Sequence, residues 1–369
     1  RAPPRAAPPR HAARPPRPCS RVRGPKLPSR RPTRRPLTAL AALVAAATLA
    51  LSACSGGTTT SDAGPEGSDA PTGSSSAERV VATDQGDVTV PTDPQRVVVL
   101  NHALAGYLYA LDVPVLATVP EVTDDPEPAF SPLWAQEAEA DGTELLEWSA
   151  DGFNLEAILA LEPDLIVGGG WGFPLKQATD VYDGLSQIAP TVLVSGTYTT
   201  WQEQLAFLAE DVFDDAATYE ELAAGYEDRL AEVRDAITVP AGETAFLART
   251  AEGTTYALQE GEGLPAIFER LGFAVQPIQE QTGAEPYTPG GDMFEVSAEQ
   301  VTSVVTAPNV FVIGFNGAEV DLDALAADPV FAALPSFAAG TAHELPTWTI
   351  RSDYHEAMAL LDVVEEQFS

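Results

Sequence analysis

From Arg79 to the C-terminus, short runs of β-branched and other apolar residues alternate with Ala-, Leu- and Glu-rich segments whose apolar positions recur every three or four residues. That alternation constrains the chain to an α/β architecture, because apolar runs of this kind are buried on both faces by the helices between them. VVAT (80–83) and DVTVP (87–91) flank Gln85 and Gly86 as in a small hairpin. RVVVL (96–100), VPVLATV (113–119), DLIVGG (164–169) and TVLVSG (191–196) then read as strands, with helices predicted at 103–111, 154–161 and 175–185. Asn154 is a candidate N-cap, and Glu156 falls in the first turn, where a carboxylate suits the helix dipole.

The pattern repeats further on with TAFLART (244–250), a GLPAIFERLGF helix (263–273), NVFVIGF (309–315), HELP (343–346) and a last helix from Asp353 to Gln367. Between the two series lie WQEQLAFLAEDVF (201–213) and AATYEELAAGYEDRLAEVRDAI (216–237), both strong helix formers. In the second of these, Tyr219, Leu222, Tyr226, Leu230 and Val233 recur at helical spacing. A helix of about 22 residues spans roughly 33 Å, enough to serve as a strut with little freedom for hinge motion. The expected fold is therefore α/β: two Rossmann-like lobes with central, mostly parallel sheets (79–212 and 240–369), joined by one long rigid α-helix (213–239). The length of 369 residues accommodates two such lobes.

Charge divides the chain. Residues 1–53 hold twelve of the twenty Lys and Arg and no acid, which leaves eight cations against 54 carboxylates in the remainder. So acidic a surface repels phosphate backbones, and no nucleic-acid partner is expected. Cys19 and Cys54 are the only cysteines, so neither a disulfide framework nor a thiolate zinc site is available.

Residues 30–54, RRPTRRPLTALAALVAAATLALSAC, form a cationic stretch, an apolar run too short to span a bilayer, and small residues before a cysteine. The ending Leu51-Ser52-Ala53-Cys54 resembles a bacterial lipobox, which implies that Cys54 is lipidated and becomes the first mature residue. Residues 55–77 have almost no apolar content and read as a flexible tether within 54–78, spanning roughly 25 Å. Residues 1–29 fit no part of a signal peptide and are expected to lie outside the true start, which the pattern places between Val22 and Leu37.

Across Arg79 to the C-terminus the segments resemble, in order, the helical-backbone class of substrate-binding proteins that serve iron-siderophore and cobalamin ABC importers. TDPQRVVVLN (92–101), DGFNLEAILALEPDLIVGG (151–169), LSQIAPTVLV (185–194) with Trp201 after it, EVSAEQV (295–301) and DPVFAALPSFAAGTAHELP (328–346) carry the likeness. The resemblance implies a lipid-anchored, monomeric binding protein on the outer face of the bacterial cytoplasmic membrane. Such a protein captures a ferric siderophore between its lobes and hands it to an ABC permease and, through that, its ATPase. It also implies permease docking through one glutamate on each lobe, at the matching positions Glu156 and Glu299. The segment HALAGYLYAL (102–111) departs from the family by lacking a glutamate after the first strand.

In open parallel sheets ligands bind beyond the carboxyl ends of the strands. That rule selects Asn101, His102, Trp171, Tyr198, Arg249, Phe315, Asn316 and Trp348, with Arg351 and Lys176 as further cations near strand ends. Aromatic side chains and a few donors suit a large, flat, partly apolar chelate. With so few cations, a triply anionic catecholate or a citrate-type chelate is poorly served, so a hydroxamate-type or mixed siderophore is favoured, with Arg249 as main donor to its iron-bound oxygens. Haem and cobalamin remain alternative ligands of the same fold, haem requiring an axial ligand such as His102, and a module reporting ligand to a sensor is a third possibility. His102, His343 and His355 sit in contexts that do not converge on a metal site, and no resident cofactor is expected. GGGWG (168–172) lacks dinucleotide spacing, and no phosphate-binding loop or GxSxG elbow is present, so an enzyme is not expected.

Overall fold

The computed structural model describes residues 77–369, so the leader, Cys54 and nearly all of the predicted tether lie outside the described residues. β1 (Glu78–Thr83) and β2 (Gly86–Pro91) pair antiparallel as the expected hairpin, and Gly86 supplies the positive φ of 101° that the tight turn needs.

The first lobe is built on β3 (Val97–Val99), β4 (Val115–Thr118), β5 (Glu144–Leu145), a small antiparallel hairpin of β6 (Trp148–Ser149) and β7 (Gly152–Phe153), β8 (Leu165–Gly169) and β9 (Thr191–Val194). Its sheet runs β5-β4-β3-β8-β9 with every pairing parallel. β3, β8 and β9 are buried along their whole lengths, as their uninterrupted apolar character requires. The chain leaves β3 toward β4 on one side and returns to β8 on the other, so the carboxyl ends of β3 and β8 flank a topological switch point. Helices His102–Ala110, Leu155–Ala160 and Gly172–Asp180 cover the sheet, and Asn154 caps the second, its Oδ1 accepting from Ala157 N at 3.1 Å. The helix expected over 175–185 is two, Gly172–Asp180 and Tyr182–Leu185, with Val181 between them outside the helical region at φ −114°.

Thr200 and Glu203 form a capping box at the start of helix Trp201–Ala206. The segment then widens into a π-helical stretch, Phe207–Val212, that buries Phe207, Leu208, Ala209 and Val212 together, so the helix read over 201–213 is regular only in its first half. The strut follows as Ala216–Ala236, 21 residues or roughly 31 Å, with Asp215 capping it and Tyr226, Leu230 and Val233 buried.

The second lobe comprises β10 (Glu243–Arg249), β11 (Thr255–Leu258), β12 (Ala274–Val275), β13 (Met293–Glu295), β14 (Asn309–Gly314) and β15 (Ala342–Leu345). The order is β13-β11-β10-β14-β15, with β12 paired to β10 as well. β12, β10, β14 and β15 are parallel, while β11 and β13 are antiparallel to their neighbours, so the lobe is mixed rather than uniformly parallel.

The last helix, Tyr354–Phe368, bridges the lobes, whereas the sequence placed it wholly in the second. At its head, Trp134 and Ser131 of the first lobe bond Asp353 and Glu356. At its tail, Phe368 packs edge-on against Phe273 and Phe311 of the second lobe, and its carbonyl accepts from Thr238 N at 2.8 Å. Two helices therefore fix the lobes relative to one another, the strut and this one. Among the described residues no helix is long and apolar enough to cross a membrane.

Candidate functional site

Strand ends from both lobes converge on a cavity of about 860 Å³. Its first-lobe wall carries Asn101, His102, Glu121, Phe130, Trp148 and Phe173; the second-lobe wall carries Tyr256, Tyr287, Phe315, Trp348 and Arg351. The volume is that of a site for a sizeable small molecule.

Local sequence explains several of these positions. Asn101 lies two residues beyond β3 and caps helix His102–Ala110: its Oδ1 accepts from Ala103 N at 3.0 Å, while its Nδ2 donates to the Gly169 carbonyl at 2.8 Å, tying the exit of β3 to the end of β8. Gly314 ends β14, and a side chain there would collide with the Ala318 carbonyl; the close fold-back Phe315-Asn316-Gly317 depends on it, with Asn316 at φ 53°. Phe315 thereby reaches the cavity and meets Tyr256 edge-on at 5.8 Å. Trp348 stands on a 3₁₀ turn, Thr347–Thr349, half-buried in the same wall.

Arg351 anchors the second-lobe wall. Its Nε and one Nη donate to the two oxygens of Asp292, each at 2.8 Å, and the same Nη donates to Tyr287 Oη at 2.9 Å. Asp292 is nearly buried, so this bidentate pair is held out of bulk water. Lys176, the other cation of the cavity, is paired with Asp180 one turn along its helix.

His102 forms part of the wall but offers no ligating atom to the cavity. Its ring lies 4.7 Å from the Trp134 ring, both nitrogens are shut away from solvent, and burial, opposed only by the Val119 backbone, lowers its pKa to about 4. It is a neutral ring packed behind the surface, which removes the basis for treating it as an axial ligand. Among the described residues, no group of three or more His, Cys, Asp and Glu is placed to hold a metal ion.

Three expected ligand contacts lie elsewhere. Arg249 packs over Phe331 at 4.7 Å and donates to Thr255 Oγ1 at 3.0 Å, in a separate depression with Glu252 and Ser297. Its strand pairs with β11, whose Thr255 draws the guanidinium sideways, away from the cleft. Trp171 donates Nε1 to the Tyr198 carbonyl at 2.6 Å and faces a smaller pocket shared with Trp201 and Ile350. Tyr198 packs against Phe207 at 5.4 Å and does not line the main cavity. Glu156 and Glu299 are both exposed in first helical turns, one on each lobe.

The sequence missed Glu121, Phe130, Trp148, Phe173, Tyr256 and Tyr287. Tyr256 belongs to the antiparallel β11, and Tyr287 to the loop YTPGGD (287–292), neither of which follows a parallel strand. The Gly and Pro cluster of that loop is the signal that was available: Gly172 N donates to the Gly290 carbonyl at 2.8 Å, a lobe-to-lobe contact of bare backbones.

A fold of two α/β lobes on a helical support, with an aromatic cleft between them, is that of a solute-binding protein. The chain belongs to the periplasmic binding protein family, whose model matches residues 97–347. The family comprises binding proteins rather than enzymes. The chain is 28% identical over 295 residues to the ferric enterobactin-binding periplasmic protein FepB of Escherichia coli O6:H1, covering 79% of this chain and 91% of that one. It is 25% identical over 307 residues to the probable siderophore-binding lipoprotein YfiY of Bacillus subtilis, covering 80% and 89%. Among solved structures it resembles holo-ViuP with a TM-score of 0.68 at 22% identity, covering 79% of this chain and 95% of that chain, a likeness of fold.

Proposed function

We propose that this protein captures a ferric siderophore in the cleft between its lobes and delivers it to an ABC permease for iron uptake. The observation that carries the reading is the aromatic cavity of about 860 Å³ between two lobes held by two bridging helices. Relatives named as siderophore binders along nearly the same span support it.

A hydroxamate-type chelate suits the cavity best. Its two cations, Arg351 and Lys176, are already ion-paired, and Arg249 lies in another depression. A triply anionic catecholate would have to shed its hydration without an unpaired cation to replace it. Phe315, Tyr256, Tyr287 and Trp348 instead offer apolar faces and hydroxyl donors to an uncharged chelate.

The remaining parts of the proposal concern where the protein works. Cys54 carries the lipid that holds a monomer at the outer face of the cytoplasmic membrane, with 54–78 as the tether. Glu156 and Glu299 dock to the permease; Leu159, 56% exposed and one turn from Glu156, adds an apolar contact to that surface. The test is quenching of tryptophan fluorescence on titration with a ferric trihydroxamate, ferric enterobactin, haem and cobalamin in parallel. Saturation at micromolar or lower concentration by the trihydroxamate supports the reading. A response to haem or cobalamin alone would replace the cargo.

A further inference from the structure

We infer that the cleft selects ferric chelates bearing a positive charge, with Glu121 as the counter-charge for a protonated amine of the chelate. This rests on the siderophore reading above and adds to it the sign of the cargo's charge.

Both cations of the cavity are neutralised where they stand. Arg351 spends its fork on Asp292 and Tyr287, and Lys176 is held by Asp180. The carboxylates differ. Glu356 accepts from Ser131 Oγ at 2.9 Å and from Asp353 N at 3.1 Å, so both of its oxygens are already engaged, and burial, with the neighbouring Asp353, pushes its pKa well up. Asp125 accepts from Glu127 N at 2.9 Å and is partly spent on its own loop. Glu121 has no ion pair and no hydrogen bond among the described residues, although it lines the cavity.

Glu121 follows β4 by three residues, so the end of the first-lobe sheet delivers it to the wall. Burial raises the pKa of Glu121 and the Arg351 guanidinium on the facing wall opposes that rise, although Arg351 is itself paired with Asp292. The lining therefore holds one carboxylate, that of Glu121, with neither ion pair nor hydrogen bond among the described residues, in a cavity whose facing wall carries the rings of Phe315, Tyr256 and Trp348. Such surroundings favour a cation, through the carboxylate and through the aromatic rings, and disfavour an anion, which would meet repulsion without a partner.

The test uses three ferric trihydroxamates that are identical except at one end: a free primary amine (charge +1), its acetyl amide (neutral) and its succinyl amide (−1). Dissociation constants are measured at one ionic strength for wild type, Glu121→Gln and, as a control for the general acidity of the surface, Glu127→Gln. The expected order is amine tightest and succinyl weakest, with about fivefold or more between those two. In Glu121→Gln the series should collapse to within about twofold while the neutral chelate keeps its affinity, and Glu127→Gln should retain the wild-type order. Equal binding of all three by wild type, preference for the succinyl form, or an unchanged order in Glu121→Gln overturns the inference and leaves the siderophore reading standing. Binding of none of the three, with haem or cobalamin bound instead, overturns both.

Discussion

The indole Nε1 of Trp134, in the first lobe, donates to Oδ2 of Asp353, the N-cap of the last helix, across 2.8 Å. The carboxylate that receives it also accepts from Glu356 N at 3.0 Å and lies directly against Gly106. One buried acid thus holds the helix head, the first-lobe helix and the loop carrying Trp134 in register beneath the cleft.

Gly106 is glycine because of that acid: a Cβ would overlap the Asp353 carboxylate. Gly106→Ala should lower the unfolding free energy by about 2 kcal/mol or more, since neither buried partner can withdraw. Trp134→Phe keeps most of the ring but strands the acceptor, at a cost of about 1–3 kcal/mol. Urea midpoints measure both, and an unchanged midpoint in Gly106→Ala would show that the helices separate without penalty.

The same cluster makes stability depend on pH in two opposed ways. Burial lowers His102 from 6.5 to about 4, so between those values the unfolded chain takes up a proton that the folded chain refuses, and stability falls with acidification. Burial raises Asp353 from 3.8 to about 7, so the folded chain keeps a proton that the unfolded chain has lost, and stability falls as the pH rises through that window. Relative to wild type, His102→Phe should gain stability at pH 5 over pH 7, and Asp353→Asn should gain it at pH 7 over pH 5. Each swing is on the order of 1–3 kcal/mol at about 1.4 kcal/mol per pH unit. Urea unfolding at both pH values checks the signs, and parallel profiles for all three proteins would contradict them.

Arg351 and Asp292 should behave as a unit. Arg351→Ala leaves the nearly buried Asp292 carboxylate without its partner, and a loss of about 3–5 kcal/mol is expected. Adding Asp292→Asn removes the stranded charge and should restore part of the loss. A double variant no more stable than Arg351→Ala would show that the pair is not coupled.

The parts visible in the sequence were those written in periodic or end-specific signals. The central residues of RVVVL, DLIVGG and TVLVSG are an unbroken apolar run because both faces are covered, and the strut announces itself by Tyr226, Leu230 and Val233. β11 and β13 are too short to show alternation, and the last helix carries no mark of which lobe its head will meet. At the cleft, the strand-end rule found Asn101, Phe315, Trp348 and Arg351 as lining residues. It failed for Arg249, because a strand end fixes where a backbone points and Thr255 on the neighbouring strand fixes where the guanidinium goes. Glu121 was one acid among 54 and became distinct only once the cations around the cavity were seen to be paired.

Permease docking separates from capture. Glu156→Lys and Glu299→Lys alter exposed first-turn residues that do not line the cavity, so chelate affinity should stay within about twofold. Stimulation of ATPase activity in vesicles containing the cognate permease should fall by about tenfold when both are reversed. Full stimulation by the double variant would remove these residues from the docking surface.

The most direct measurement is the position of iron in crystals grown with a saturating ferric trihydroxamate, read from anomalous scattering at the iron edge. One peak per chain is predicted inside the cavity, between the Glu121 wall and the Phe315, Trp348 and Arg351 wall. A peak in the smaller pocket beside Trp201 and Ile267, or on the outer surface alone, would contradict capture between the lobes.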